Sequence, residues 1–144
     1  MRRSSSGISP VVATVILVAI AIVIAIAVAF WASGLVGVFT RFEKLEVTSA
    51  YYLGGTTGVV LFVRNTGSAD ASIDDIYVNG IPCGGGCSIN ATLPLTLKVG
   101  SNVTLAIGGT PSSVTGGNWA HGVTYEIAVH TASGKLYPVS VLVP

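Results

Sequence analysis

The chain has 144 residues, of which 51% are hydrophobic and only 9% are charged, and its formal net charge is +1. This length allows one core of ordinary size and excludes two full domains. Binding to nucleic acid would need a concentrated basic face, which seven basic against six acidic side chains do not provide, so nucleic acid is not an expected partner.

Charged residues are distributed unevenly along the chain. None occurs between Arg3 and Arg41, and a long apolar run begins directly behind the residues "MRRSSS". The rest of the chain is rich in Gly, Ser, Thr, Val and Tyr, a composition typical of a β domain with many turns. The sequence therefore predicts an apolar N-terminal segment that extends to about Leu45, followed by one globular β domain.

The stretch Val11–Trp31 predicts a membrane-spanning helix. Thirteen of its 21 residues are Val, Ile, Leu or Phe, so its insertion into a bilayer is favourable by about 4–8 kcal/mol. A lone segment in hydrocarbon must satisfy its own backbone hydrogen bonds, which requires a helix. Ser9 can cap this helix, and Pro10 suits its first position. At a rise of 1.5 Å per residue the stretch spans about 30 Å, the thickness of the hydrocarbon layer.

The residues before the helix predict its orientation, because Arg2 and Arg3 keep the leader in the cytoplasm and place the β domain outside. Three fates of the apolar segment are open at this point. It could be a secretory signal cut after "AVA" at Ala27–Ala29, or a permanent single-span anchor. In the third, only the residues before the helix are removed, and the helix stays in the working protein.

The N-terminal sequence "RRSSSGISPVVATVILVAIAIVIAIAVAFW" resembles that of archaeal type IV pilins over about the first 35 residues of the chain. The resemblance implies that a membrane-embedded prepilin peptidase cuts between Gly7 and Ile8. It departs from the common pattern at Ser6, where the leader often carries a basic residue. Val12 stands where bacterial relatives have a Glu, as is usual in the archaeal branch.

With the leader that the resemblance implies, the expected division is a leader peptide at residues 1–7, a hydrophobic helix at 8–45 and an extracellular β domain at 46–144. It implies that the precursor waits in the cytoplasmic membrane until the pilus assembly machinery packs it with copies of itself. The product would be an extracellular adhesion filament on the cell surface, with the helices in its core. An archaellin of a swimming filament, or a pseudopilin or binding module that stays anchored without polymerising, is the alternative. No enzyme activity and no cofactor are expected.

Small residues recur every fourth position along the helix, a pattern that lets helix backbones approach closely. The alternation of Ala with large residues in "AIAIVIAIAVA" would produce the same spacing by accident. The candidate packing stripe consists of Ala21, Ala25, Ala29, Ser33 and Gly37.

Alternating apolar residues and frequent turn residues predict an all-β domain of immunoglobulin-like sandwich type after the helix. Pro138 cannot donate a hydrogen bond to a central strand, so its strand is expected at a sheet edge or with a bulge. The predicted strands cover residues 44–53, 58–65, 72–80, 92–99, 102–108, 123–131 and 135–143.

Cys83 and Cys87 flank three glycines and, outside the cell, would close a small disulfide loop. Free thiols or a metal site are the alternatives, although zinc would need two further ligands and no His or Cys is close in sequence.

Asn90 and Asn102 match the N-glycosylation pattern, in "NAT" and "NVT". Two matches are few enough to arise by chance in a chain rich in Ser and Thr. The strand predicted at Asn102 would also limit access to it.

His121 and His130 are interpreted as exposed and unpaired side chains rather than catalytic groups. The carboxylates of Asp70, Asp74 and Asp75 do not have the spacing of a calcium loop and are interpreted as loop and surface charges. No combination of residues in the sequence predicts catalysis.

Overall fold

The structure, a computed structural model, describes residues 8–144, except for the side chains of residues 8 and 36–39. Gly7, on one side of the predicted cleavage point, lies outside the described residues. The chain divides into two compact parts after Thr40. Over the described residues, the first is a single helix and the second is the β domain.

Helix α1 extends over 33 residues, from Ile8 to Thr40, without interruption at Gly34. The helix begins at Ile8, so Ser9 lies in the first turn rather than at the cap. Pro10 is tolerated there because the amide groups of the first turn have no partner within the helix.

The predicted end of the helix at residue 45 is wrong. Residues 41–44, here called the connecting segment, have no regular secondary structure, and Leu45 begins the first strand. Leu45 is only 3% exposed and belongs to the β core. Its burial in that core competes successfully with continuation of the helix.

The β domain contains two antiparallel sheets, and the α+β fold predicted from the sequence is confirmed. The first sheet has the strand order β1-β2-β6, and the second has the order β4-β3-β7-β8 with β5 paired to β3. The elements are β1 (Leu45–Gly54), β2 (Gly58–Asn65), β3 (Ala71–Val78), β4 (Ile81–Pro82), β5 (Leu95–Leu97), β6 (Asn102–Ile107), the one-turn helix α2 (Ser112–Thr115), β7 (Val123–Thr131) and β8 (Leu136–Val143).

One core joins the two sheets, as expected of a sandwich. Alternate residues of β7 point into it because successive side chains of a strand face opposite ways. The fully buried members include Leu61 and Leu105 of the first sheet and Ile73, Tyr125 and Ile127 of the second. Among the described strands, β8 pairs only with β7, so Pro138 lies on an edge strand, and the prediction for this residue is confirmed.

The connecting segment is hydrogen-bonded to the loop between β2 and β3. The amide of Ser68 donates to the Phe42 carbonyl oxygen at 2.9 Å, and the amide of Thr66 donates to that of Lys44 at 2.9 Å. A Cβ atom on Gly67 would lie 2.5 Å from the Phe42 oxygen and 2.6 Å from the Lys44 nitrogen, so only glycine fits between them. The connecting segment is therefore part of the β domain.

Strand β8 also reaches the connecting segment. The Tyr137 hydroxyl lies 3.4 Å from both the carbonyl oxygen and the Oε1 atom of Glu43, and the Lys135 ammonium donates to the same carbonyl at 3.1 Å. Burial raises the pKa of the Tyr137 hydroxyl, and the neighbouring Glu43 carboxylate raises it further. Tyr137 therefore stays neutral, and it remains a hydrogen-bond donor to Glu43 at physiological pH.

Candidate membrane and assembly surface

From Ser9 to Gly34, the side chains of helix α1 are exposed on all sides. Every large apolar residue from Val11 to Trp31 has at least half of its surface accessible, from 50% for Val12 to 76% for Phe30. The apolar residues are distributed around the whole helix rather than along one stripe. A helix of this kind needs apolar surroundings on every side, either lipid or other helices. Within the described residues, the chain itself supplies none.

The length of this surface is sufficient to cross a bilayer. The stretch Ser9–Leu35 contains 27 residues and no charged side chain. At 1.5 Å per residue it is about 40 Å long, against about 30 Å for the hydrocarbon layer. By length and composition α1 is therefore capable of spanning a membrane.

One polar side chain inside the stretch is satisfied by the helix. The Thr14 hydroxyl donates to the carbonyl oxygen of Val11 at 2.8 Å. Because this hydrogen bond is made within the helix, Thr14 can lie in hydrocarbon without leaving an unpaired donor.

The predicted packing stripe lies on one continuous helix, where residues four apart occupy the same face. The four members with described side chains, Ala21, Ala25, Ala29 and Ser33, are all exposed. The surroundings of Gly37 lie outside the described residues. These four residues therefore present small side chains that no other described residue covers.

The β domain contains the remaining candidate sites. The sulfur atoms of Cys83 and Cys87 form a disulfide, and both residues are buried against the core. The loop that they close is short, and it is fixed further by the Cys83 amide, which donates to the Ile76 carbonyl at 2.8 Å. The disulfide therefore holds a tight turn beside strand β3.

The side chain of Asn90 pairs with the open edge of strand β6. Its Oδ1 atom accepts from the Ala106 amide at 2.9 Å, and its Nδ2 atom donates to the Thr104 carbonyl at 3.1 Å. These two hydrogen bonds occupy backbone groups of β6 that a neighbouring strand would otherwise use. They therefore cover an edge that could pair with another chain. Sequence patterns did not reveal this role, because the partner backbone is more than ten residues away.

Asn102, the second predicted glycosylation site, begins strand β6 and is exposed. No side-chain hydrogen bond of Asn102 is found among the described residues. Attachment of a glycan uses the amide nitrogen, which is engaged in Asn90 and accessible in Asn102. Glycosylation of either residue stays a prediction, and the geometry favours Asn102.

The interpretation of both histidines as unpaired is wrong. His130 contacts the Asp74 carboxylate through Nδ1 and stacks on the Tyr77 ring, with centroids 5.2 Å apart. The Nδ1 atom of His121 lies 2.6 Å from the Pro144 carbonyl oxygen. Both partners are far away in sequence, so local patterns could not identify them.

Acidic residues beside the disulfide do not form a metal site. Asp74 and Asp75 line an open cleft, but Asp74 is paired with His130, and the Asp75 carboxylate accepts from the Ile76 amide at 2.8 Å and the Gly84 amide at 3.3 Å. Over residues 8–144, no three His, Cys, Asp or Glu side chains are grouped so that they could hold a metal ion. The surface of α1 is therefore the strongest functional feature of the described chain.

No protein-family model matches the chain, and no curated protein matches it significantly in sequence. Its function is therefore inferred from the geometry of the chain and from its N-terminal sequence.

Proposed function

We propose that the chain is a structural subunit, a pilin, of an archaeal type IV adhesion pilus. In this proposal, prepilin peptidase removes residues 1–7 and the assembly machinery moves α1 from the membrane into a filament of identical subunits. The chain acts as a building block and carries out no catalysis, with the β domain on the outside of the filament.

One observation carries the proposal: α1 is a continuous helix, apolar on every side, attached to a β domain with a complete core of its own. The core of the β domain has no place for a helix about 50 Å long. Copies of the same helix can surround it once it leaves the lipid. The "ISPVV" sequence at the start of α1 supports the pilin proposal over an ordinary membrane anchor.

The direct test is to purify surface fibres from the source cells, image them and sequence the N-terminus of their protein. We expect filaments built from this chain, with Ile8 as the first residue. A mature chain that starts at Phe30 would support the secretory signal instead. Recovery only as single copies in the membrane would support the anchored binding module, and filaments that rotate to drive swimming would support the archaellin.

A substitution in the helix tests the buried core of the filament. Ala25→Asp places a charge near the middle of α1, which costs about 2.5–3.5 kcal/mol in an apolar environment. Because insertion of the parent helix is favourable by about 4–8 kcal/mol, the variant should still enter the membrane, as fractionation would measure. Filament yield should fall below detection, since every subunit would bury an unpaired carboxylate.

Ala25→Ser is the matched control, because it adds a small polar group without charge. We expect it to assemble at close to the parent yield. Normal filaments from Ala25→Asp would contradict a core built from α1.

A further inference from the structure

Four segments of the β domain meet at the end where the chain enters from α1, and together they are called the basal end: residues 41–45, 64–71, 97–102 and 131–136. Strand pairing and loop hydrogen bonds hold these segments together. The joining strand pairs are Leu45–Asn65, Arg64–Asn102 and Ala71–Leu97. The fourth segment joins through the Lys135 ammonium, which donates to Glu43.

The basal end contains every Lys and Arg side chain of the β domain. All of these side chains are exposed. Over the described part of the chain, none of them has a carboxylate oxygen within 4.0 Å. The five residues are Arg41, Lys44, Arg64, Lys98 and Lys135.

The acidic residues of the domain do not neutralise this end. Three lie at or beside it, so its charge is 5 − 3 = +2, whereas the β domain as a whole has 5 − 6 = −1. One of the three, Asp70, uses its carboxylate to accept from the Val99 amide at 3.0 Å. The acidic residues at this end are Glu43, Glu46 and Asp70, and those further along the strands are Asp74, Asp75 and Glu126.

Exposed apolar side chains alternate with the cations of the basal end. Phe42, Val99 and Leu136 are each about half exposed, and each directly follows a basic residue in "RF", "KV" and "KL". Adjacent cationic and apolar side chains suit the boundary between headgroups and acyl chains. The other exposed large apolar residues of the β domain have no adjacent cation: Tyr51, Leu53, Val123 and Leu142.

The distance along the chain places the connecting segment, which is part of the basal end, near the membrane surface. The stretch capable of spanning the bilayer ends at Leu35, and the helix ends at Thr40. Five residues of helix cover about 7.5 Å, and the headgroup layer on each side of a bilayer is about 5–7.5 Å thick. Because the stretch is about 10 Å longer than the hydrocarbon layer, chain connectivity keeps the connecting segment within about 17.5 Å of the hydrocarbon boundary, at or just above the headgroups.

We infer that the basal end binds anionic phosphate headgroups of the outer leaflet while α1 is still in the membrane. The lysines and arginines contact the phosphates, and Phe42, Val99 and Leu136 enter the interface below them. This inference rests on the membrane-anchored stage of the proposed function and not on the filament. It gives the β domain a second attachment to the membrane before assembly.

The test is hydrogen–deuterium exchange of the full chain in lipid nanodiscs of phosphatidylglycerol or of phosphatidylcholine. We expect one or two of the cations to bind the anionic headgroups. Amide exchange in the loops of the basal end should then be about fivefold to thirtyfold slower in phosphatidylglycerol than in phosphatidylcholine. The loop at residues 108–122, at the opposite end of the strands, should exchange equally in both lipids. Protection should disappear in 1 M salt, where the screening length is about 3 Å.

Two triple variants separate charge from folding. Lys44→Gln, Lys98→Gln and Lys135→Gln together should abolish the difference between the lipids. The matched Arg triple at the same positions should preserve it.

Equal exchange of the parent chain in the two lipids would overturn the inference, and so would protection that survives in the Gln triple. Protection independent of lipid charge would mean that another copy covers the basal end, which also overturns it. The imaging of surface fibres is separate, so the headgroup contact and the filament can fail independently.

Discussion

The buried side chain of Asn65 is the most informative single position for the stability of the β domain. Its Nδ2 atom donates to the carbonyl oxygens of Ala69 and Leu97, both at 2.9 Å, and its Oδ1 atom accepts from the Gly67 amide at 3.0 Å. Asn65 is fully buried, so water cannot replace these bonds. It joins β2, the β2–β3 loop and β5, and so supports the loop that binds the connecting segment.

Asn65→Ala should destabilise the β domain by about 3 kcal/mol. Three hydrogen bonds at about 0.5–1.5 kcal/mol each give this range, and each partner left unpaired in the interior adds to it. The loss would be a large fraction of the 5–15 kcal/mol typical of a domain. Urea unfolding of the full chain in detergent micelles measures it, followed by Trp119 fluorescence in a Trp31→Phe background. Trp119 is a suitable reporter because it packs edge-on against the Tyr125 ring in the core.

Asn102→Ala is the control for this measurement. It removes the same side chain from an exposed position, so the free energy of unfolding should change by no more than about 0.5 kcal/mol. If Asn65→Ala also changed the stability by less than about 1 kcal/mol, the hydrogen bonds of Asn65 would not have the assigned role.

Two further substitutions test other parts of the domain. Because the folded state raises the pKa of Tyr137, the unfolded chain loses the hydroxyl proton first. The free energy of unfolding should therefore fall as pH rises above about 10. Tyr137→Phe should reduce this loss, as measured by urea titrations between pH 8 and 11. Equal pH dependence in both proteins would exclude Tyr137 as its cause. Gly58→Ala should cost more than about 2 kcal/mol, since the new Cβ would lie 2.1 Å from the Ile107 oxygen and 2.5 Å from Trp119 Nε1. Gly55→Ala is its control, with a similar positive φ but nothing within 4 Å, and should cost only about 1–2 kcal/mol in the same unfolding assay.

Local patterns in the sequence predicted most of the fold. The alternation in "VTYEIAVHT" predicts the observed bounds of strand β7, Val123–Thr131. A strand with one face in the core must alternate apolar and polar side chains. The strand predicted at residues 92–99 is reduced to Leu95–Leu97. Pro94 has no amide hydrogen for a ladder, so the pairing with β3 begins only after it.

Features that depend on distant partners could not be predicted in this way. The Asp74–His130 pair joins residues 56 positions apart, and it required the register of β3 against β7. The position at which α1 ends depends on the loop at residues 66–69, which binds the connecting segment and which nothing near residue 41 in the sequence indicates. The grouping of cations at the basal end likewise became visible only from the topology, although the "RF", "KV" and "KL" pairs are present in the sequence.

If the chain is a pilin whose basal end binds headgroups, both features constrain how it leaves the membrane. Lipid tails are as apolar as neighbouring helices, so moving α1 from the bilayer into a bundle gains little from the hydrophobic effect. Close packing along the Ala21–Ser33 face would then have to supply the specific attraction between helices. Contacts between the basal end and headgroups would stabilise the membrane-anchored state further, and assembly must break them. Extraction would therefore require work from the assembly machinery, and weakening the basal cations should make it easier rather than harder.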